Sequence, residues 1–317
     1  MARPLHEESP VTASTGLAVF PTAATTPVDR LLLAFLAAAA ALAAVFMPSP
    51  GRVLLEVAAL AAVILTAGRV RGKSVWLGFV HAFLPLLVLS ALVNLIGPVI
   101  EHVNPYRADA ALAAIDAEWF GWLLVRWRNA LGRPDWLTDA ASVAYVIYYV
   151  LPLAVAVPLL RAGRTEEFER FAFSLTAVLL ASYAGYFFLP AAGPRVPEDL
   201  AQLELGGGWI SALVRAFLRA AEENQLDAFP SGHTAVSLAL LAAAWPSFPR
   251  LRPLLVLAVA AIVFSTVYLS LHYLIDVVAG ATLALVVQRG AAAAARALRG
   301  STYRTMAQAS PDRTLSP

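Results

Sequence analysis

Residues 253–289 read PLLVLAVAAIVFSTVYLSLHYLIDVVAGATLALVVQR, and before the closing Arg289 the only Asp, Glu, Lys, Arg or His in them are His272 and Asp276. A bilayer core about 30 Å thick takes about 20 helical residues. The stretch therefore holds two membrane spans, 253–271 and 273–289, with a histidine and a carboxylate close to the turn between them. Working outward, the same count gives further spans at 31–47, 53–67, 75–100, 141–160, 171–190 and 231–248. The composition agrees. The chain is 60% hydrophobic and 14% charged, against about 25% charged residues in soluble domains. The expected fold class is all-α: a multi-pass transmembrane helical bundle with a six-helix core and about two extra N-terminal spans.

The span 53–67 is the weakest, being short and carrying Glu56, and the span 75–100 is long and interrupted by Pro85 and Pro98, which predicts a kink or tilt. The run Leu31–Met47 is longer than a secretory signal core and follows a leader with acidic as well as basic residues, so a retained span is expected. Four units follow: a disordered cytoplasmic arm over 1–28, a transmembrane hairpin over 29–74, a catalytic membrane domain over 75–290 and a cytoplasmic tail over 291–317. Two stretches are not spans. Residues 101–140 mix Trp119, Trp122, Trp127 and Trp136 with Arg126, Arg128 and Arg133, which suits an interfacial helix. Within 191–230, Trp209–Ala221 is a short amphipathic piece.

Eight spans place both termini on one side, which takes 15 of the 23 Lys and Arg residues. Positive charge accumulates on the cytoplasmic side, so the expected location is a cell membrane with cytoplasmic termini and with the loops 101–140 and 191–230 outside. Formal net charge is +2, too small for nucleic-acid binding, and zero cysteines exclude disulfides, thiolate catalysis and Cys-ligated metal.

Three segments carry polar groups that a membrane protein otherwise avoids, and all fall at outer helix ends. They are Gly193-Pro194-Arg195, Phe229-Pro230-Ser231-Gly232-His233, and Ser265-Thr266 followed by His272 and Asp276. Pro230 is pre-set for a helix start, where backbone N–H groups around Ser231 and Gly232 form an anion site. His272 and Asp276, four apart, share a helical face, so the carboxylate can accept from one imidazole nitrogen and leave the other as a nucleophile. His233 is then available as a general acid. With Arg195, the set suits attack on phosphorus.

Ala228-Phe-Pro-Ser-Gly-His233 and the stretch from Ser265 through His272 and Asp276 to Gly280 resemble the second and third motifs of the type-2 phosphatidic acid phosphatase superfamily. Those membrane enzymes work without metal through a phosphohistidine. The resemblance implies His272 as nucleophile, Asp276 as its orienting partner, His233 as acid, and Ser231 and Gly232 as phosphate binders. It implies no cofactor, and a phospholipid or isoprenoid phosphate as substrate. Two family cations are missing: Phe188 stands at the first motif's lysine, with Val196 at its proline, and Thr266 at the third motif's arginine. Similar losses mark the inositol phosphorylceramide synthase-like branch, which transfers a head group to an alcohol or lipid acceptor. Ile115-Asp116, Phe120-Gly121 and Tyr145-x-x-Tyr148-Tyr149-x-x-Pro152 also resemble bacterial members of it. A phosphodiester carries one negative charge and needs fewer cations than a monoester, so the expectation is a diester lipid and transfer.

Simpler readings stand beside these. The same motifs fit a plain lipid phosphate phosphatase, or an inactive transporter or scaffold of the same fold. Asp227 serves either the motif backbone or a helix cap, and Thr266 and Tyr268 are possible supports. His81, Asn94, Glu101 and His102 suit packing or interface roles better than catalysis. Asp116 and the three tyrosines suit a lipid entrance or an ordinary interface, and a zinc site at His233, His272 and Asp276 fits less well than an anion site.

Overall fold

The computed structural model describes residues 25–132, 134–194, 206–221 and 224–308, and for Arg128 and residues 292–308 it describes the backbone alone. Among the described residues the chain is helical, with no strand. The helices are α1 (Pro27–Phe46), α2 (Gly51–Val70), α3 (Val75–Val103), α4 (Asp109–Leu131), α5 (Asp135–Arg161), α6 (Thr165–Phe188), α7 (Trp209–Ala221), α8 (Gly232–Ala244), α9 (Arg252–Tyr268) and α10 (Leu274–Gln308). Of the expected arm, residues 1–24 lie outside the described residues, as do 309–317 of the expected tail.

Local chemistry sets the ends. Thr26 and Asp29 close a reciprocal capping box at the start of α1, with Pro27 at the first helical position. Pro48 and Pro50 stop α1 and set off α2. Ser74 caps α3 by accepting from the Leu77 amide at 3.2 Å.

Among the described residues, seven helices are long and apolar enough to cross a membrane. The weakest expected span is sound: α2 is continuous, and Glu56 is paired with Arg52 at 2.8 Å on an exposed face. The span expected at 231–248 is shorter than that. Its helix, α8, has 13 residues, about 20 Å of helix, because Ser231 caps its start and Pro246 ends it.

Two apolar layers share α6. One joins α5, α6, α8, α9 and α10 around residues such as Leu159, Val178, Leu240 and Ile262. The other joins the α1–α2 hairpin to α3 and the outer face of α6 through Leu36, Ile64, Leu92 and Tyr183. His81 lies in this second layer, where its Nε2 meets Asp29 Oδ2 at 3.0 Å, both side chains buried. Large aliphatic residues such as Leu55, Leu87 and Leu257 point outward, as expected where the surrounding solvent is hydrocarbon.

Candidate active site

The loops that open α8 and α10 meet at one end of the bundle. The Ser231 amide donates to the Asp276 carbonyl at 3.0 Å, so the two motif segments are bonded through their backbones. Gly280 permits this approach, since a side chain there would run into the Ser231 carbonyl. Gly193 is needed for two reasons: its φ is +82°, and a Cβ would lie 2.5 Å from the Leu271 carbonyl oxygen.

His272 is buried, and its Nδ1 lies 2.9 Å from the Ala228 carbonyl oxygen. A carbonyl only accepts, so Nδ1 carries the proton and the Nε2 lone pair is left over. Asp276 Oδ2 is 3.5 Å from the same Nδ1 and accepts from the Tyr273 amide at 2.8 Å. The carboxylate thus bonds its own helix start first and holds the imidazole less directly than its spacing predicts, while the Ala228 carbonyl fixes the tautomer.

The ring of His233 lies 5.9 Å from that of His272, centroid to centroid. One tetrahedral group can touch both edges. On its other sides His233 meets three tyrosines of α5: Tyr145 stacked at 4.3 Å, Tyr148 at 4.1 Å and Tyr149 edge-on at 6.2 Å. Their spacing (i, i+3, i+4) puts them on one helical face. Sequence reading offered these tyrosines as entrance residues, and the structure sets them against a candidate acid. Aromatic faces at this range favour a cation.

Other expected residues divide. Ser231 caps α8, its Oγ accepting from the Thr234 amide at 3.3 Å, and its amide is already bound. The Gly232 amide, in the first turn of α8, is a helix-start donor that suits an anion. Gly232 also accommodates the Tyr186 hydroxyl, which would sit 2.9 Å from a Cβ there. Asp227 lines the same cavity as the two histidines. The Thr266 side chain bonds the Val263 carbonyl within α9, while its own carbonyl accepts from the amides of Leu271 and His272 at 3.0 and 3.1 Å. It supports the site through the backbone. Tyr268 sits in another cluster, with Trp127 and Phe264, its hydroxyl 3.3 Å from Thr138 Oγ1. Arg195 lies outside the described residues. Among the described residues no group of three or more His, Asp or Glu is arranged to hold a metal ion.

Two carboxylates that tie the site's backbone together were missed as such. Asp116 of α4 accepts from the amides of Leu274 and Ile275 at 2.9 and 2.8 Å, capping the start of α10 just after His272, which lies in the bend before the helix. Asp109, seven residues earlier on the same face, accepts from the amides of Ala192 and Gly193 at 3.1 and 2.9 Å. The i, i+7 spacing of the two carboxylates on α4 was the available signal, though not for the amides they meet. Asp116 is thus a cap of α10.

From the histidines a mostly apolar cavity of about 290 Å³ runs between α3, α5 and α6. A family model described as the PAP2 superfamily matches residues 110–289, more than half of the chain. The chain belongs to the PAP2 superfamily. No curated protein and no solved structure matches it. The PAP2 match takes in α5 to α9, both histidines and Asp276, and starts after α3. Phosphatases of this superfamily act on lipid phosphates, so a membrane enzyme of lipid phosphatase or phosphotransferase type is the coarse assignment that membership carries.

Proposed function

We propose that the protein is a metal-independent lipid phosphotransferase or phosphatase that works through a phosphohistidine on His272. The observation that carries the reading is the pair of histidine rings 5.9 Å apart, where helix-start amides meet an apolar cavity. In the first step the Nε2 lone pair of His272 attacks phosphorus. The bond to the leaving oxygen breaks, and that oxygen takes a proton from His233. In the second step a water or alcohol hydroxyl attacks the phosphohistidine, gives its proton to His233 and restores the His272 lone pair.

The reading includes transfer from a diester lipid, in the manner of inositolphosphotransferases. The loss of cations at Phe188 and Thr266 supports it, because a diester has less charge to neutralise. The tyrosine rings around His233 contribute in the same direction, because aromatic faces favour a cation. Arg195, Ser231 and Gly232 complete the phosphate site in this reading, and Asp276 orients His272. The charge count supports a cell-membrane location with the site on the extracytoplasmic face and the termini in the cytoplasm.

The test is to incubate the purified protein with labelled phosphatidic acid, phosphatidylinositol and isoprenoid phosphates, with and without inositol or a lipid alcohol, and to read products by mass. Head-group transfer from phosphatidylinositol is expected. Phosphate release from phosphatidic acid with the diesters left intact would leave a phosphatase and refute the diester preference.

A further inference from the structure

We propose that the cavity below the two histidines holds one apolar chain longer than a single leaflet is deep, so that the substrate's tail crosses the bilayer midplane inside the protein. What happens at the phosphate rests on the functional reading above; the tail site rests on the cavity. Its walls set its depth. On α6 it is lined from Tyr186 down to Phe168, and eighteen helical steps of 1.5 Å make about 27 Å. On α3 it is lined from Val93 to Ala82 and on α5 from Tyr145 to Ala156, eleven steps and about 17 Å each. Half of a hydrocarbon core of about 30 Å is about 15 Å, so even the shorter walls exceed one leaflet.

The far end is closed. Phe168 and Phe171 are buried there, and the adjoining helical turns are clamped together. Arg164 Nε donates to Glu167 Oε1 at 2.7 Å, and Arg164 Nη1 donates to the Ser247 carbonyl at 3.3 Å. The side is the more open part: α3 and α5 each pack on α6, and their backbones approach one another less closely than either approaches α6 among the described residues. A chain can slide in sideways between them and lie in the groove whose floor is α6. Pro85 and Pro152 face this groove from its two sides. Each removes a backbone hydrogen bond and lets its wall bow. Below the histidines the lining makes little demand for a polar group: the Ser90 hydroxyl is spent on the Leu86 carbonyl at 2.9 Å.

Bilayer lipid is as apolar as this lining, so transfer into the groove brings no hydrophobic gain in itself. Selectivity comes from filling. A chain that stops halfway leaves empty volume, which is unfavourable in a packed interior. The test is native mass spectrometry of the purified full chain with decyl, hexadecyl and eicosyl phosphate, a series that changes tail length alone. Wild type is expected to retain the eicosyl compound at least tenfold better than the decyl compound. Ala172→Trp, which plugs the lower groove, is expected to bring the eicosyl compound to the decyl level while decyl binding stays unchanged. If the plug also abolishes decyl binding, Phe171→Leu decides: a gain for the longest chain is expected, and no gain overturns the proposal. Binding independent of chain length in wild type also overturns it. Length-dependent binding without turnover would refute the phosphatase reading and leave the tail site standing.

Discussion

At the scale of single residues, two imidazoles are held by different means. His272 is fixed by a carbonyl at 2.9 Å, which leaves one tautomer. His233 is fixed by aromatic faces. General acid–base groups contribute about 10²- to 10⁴-fold, so His233→Ala is expected to lower kcat by that range without changing membrane insertion. Tyr148→Leu removes one face of the cage. With a cation–π contact worth about 0.5–2 kcal/mol, turnover is expected to fall about tenfold, whereas Tyr148→Phe keeps the ring and most of the rate. Equal rates in the Leu and Phe variants would mean that the ring face is irrelevant.

At the scale of elements, α4 is the unexpected part. Its Asp116 caps α10 across 158 residues of sequence, and losing a cap costs about 0.5–2 kcal/mol. Asp116→Ala is therefore expected to lower the thermal unfolding midpoint by a few degrees and to lower kcat more than it raises KM, because the helix start beside His272 loosens. An unchanged midpoint and kcat would remove Asp116 from the account. The contrast shows what a sequence reveals. The histidine pair was legible because Ser231-Gly232-His233 and His272-x-x-x-Asp276 each carry a local spacing with a chemical reason behind it. The Asp116 cap was not, since nothing near that residue marks which distant amides it will meet. The three tyrosines fall between: their spacing showed one face, but only packing showed that the face meets His233. The length of α8 was partly legible, because Pro246 marks its end, yet hydropathy alone carried the expected span on to residue 248.

For the whole molecule, the α1–α2 hairpin braces α3 and α6 through the second apolar layer, and so stiffens two walls of the cavity. Orientation is open to direct measurement because the chain has no cysteine. A single Arg107→Cys is expected to react with a membrane-impermeant maleimide added outside intact cells, and Arg250→Cys only after the membrane is broken. The reverse pattern would put the site on the cytoplasmic face. The most direct test of the central claim is to trap the covalent species. Protein exposed briefly to a lipid labelled with radioactive phosphorus and quenched in alkali is expected to carry an acid-labile label on the peptide containing His272. The label should be absent in His272→Ala and retained in His233→Ala supplied with a substrate whose leaving group needs no proton. Turnover by wild type with no label on that peptide, or with undiminished activity in His272→Ala, would contradict the account.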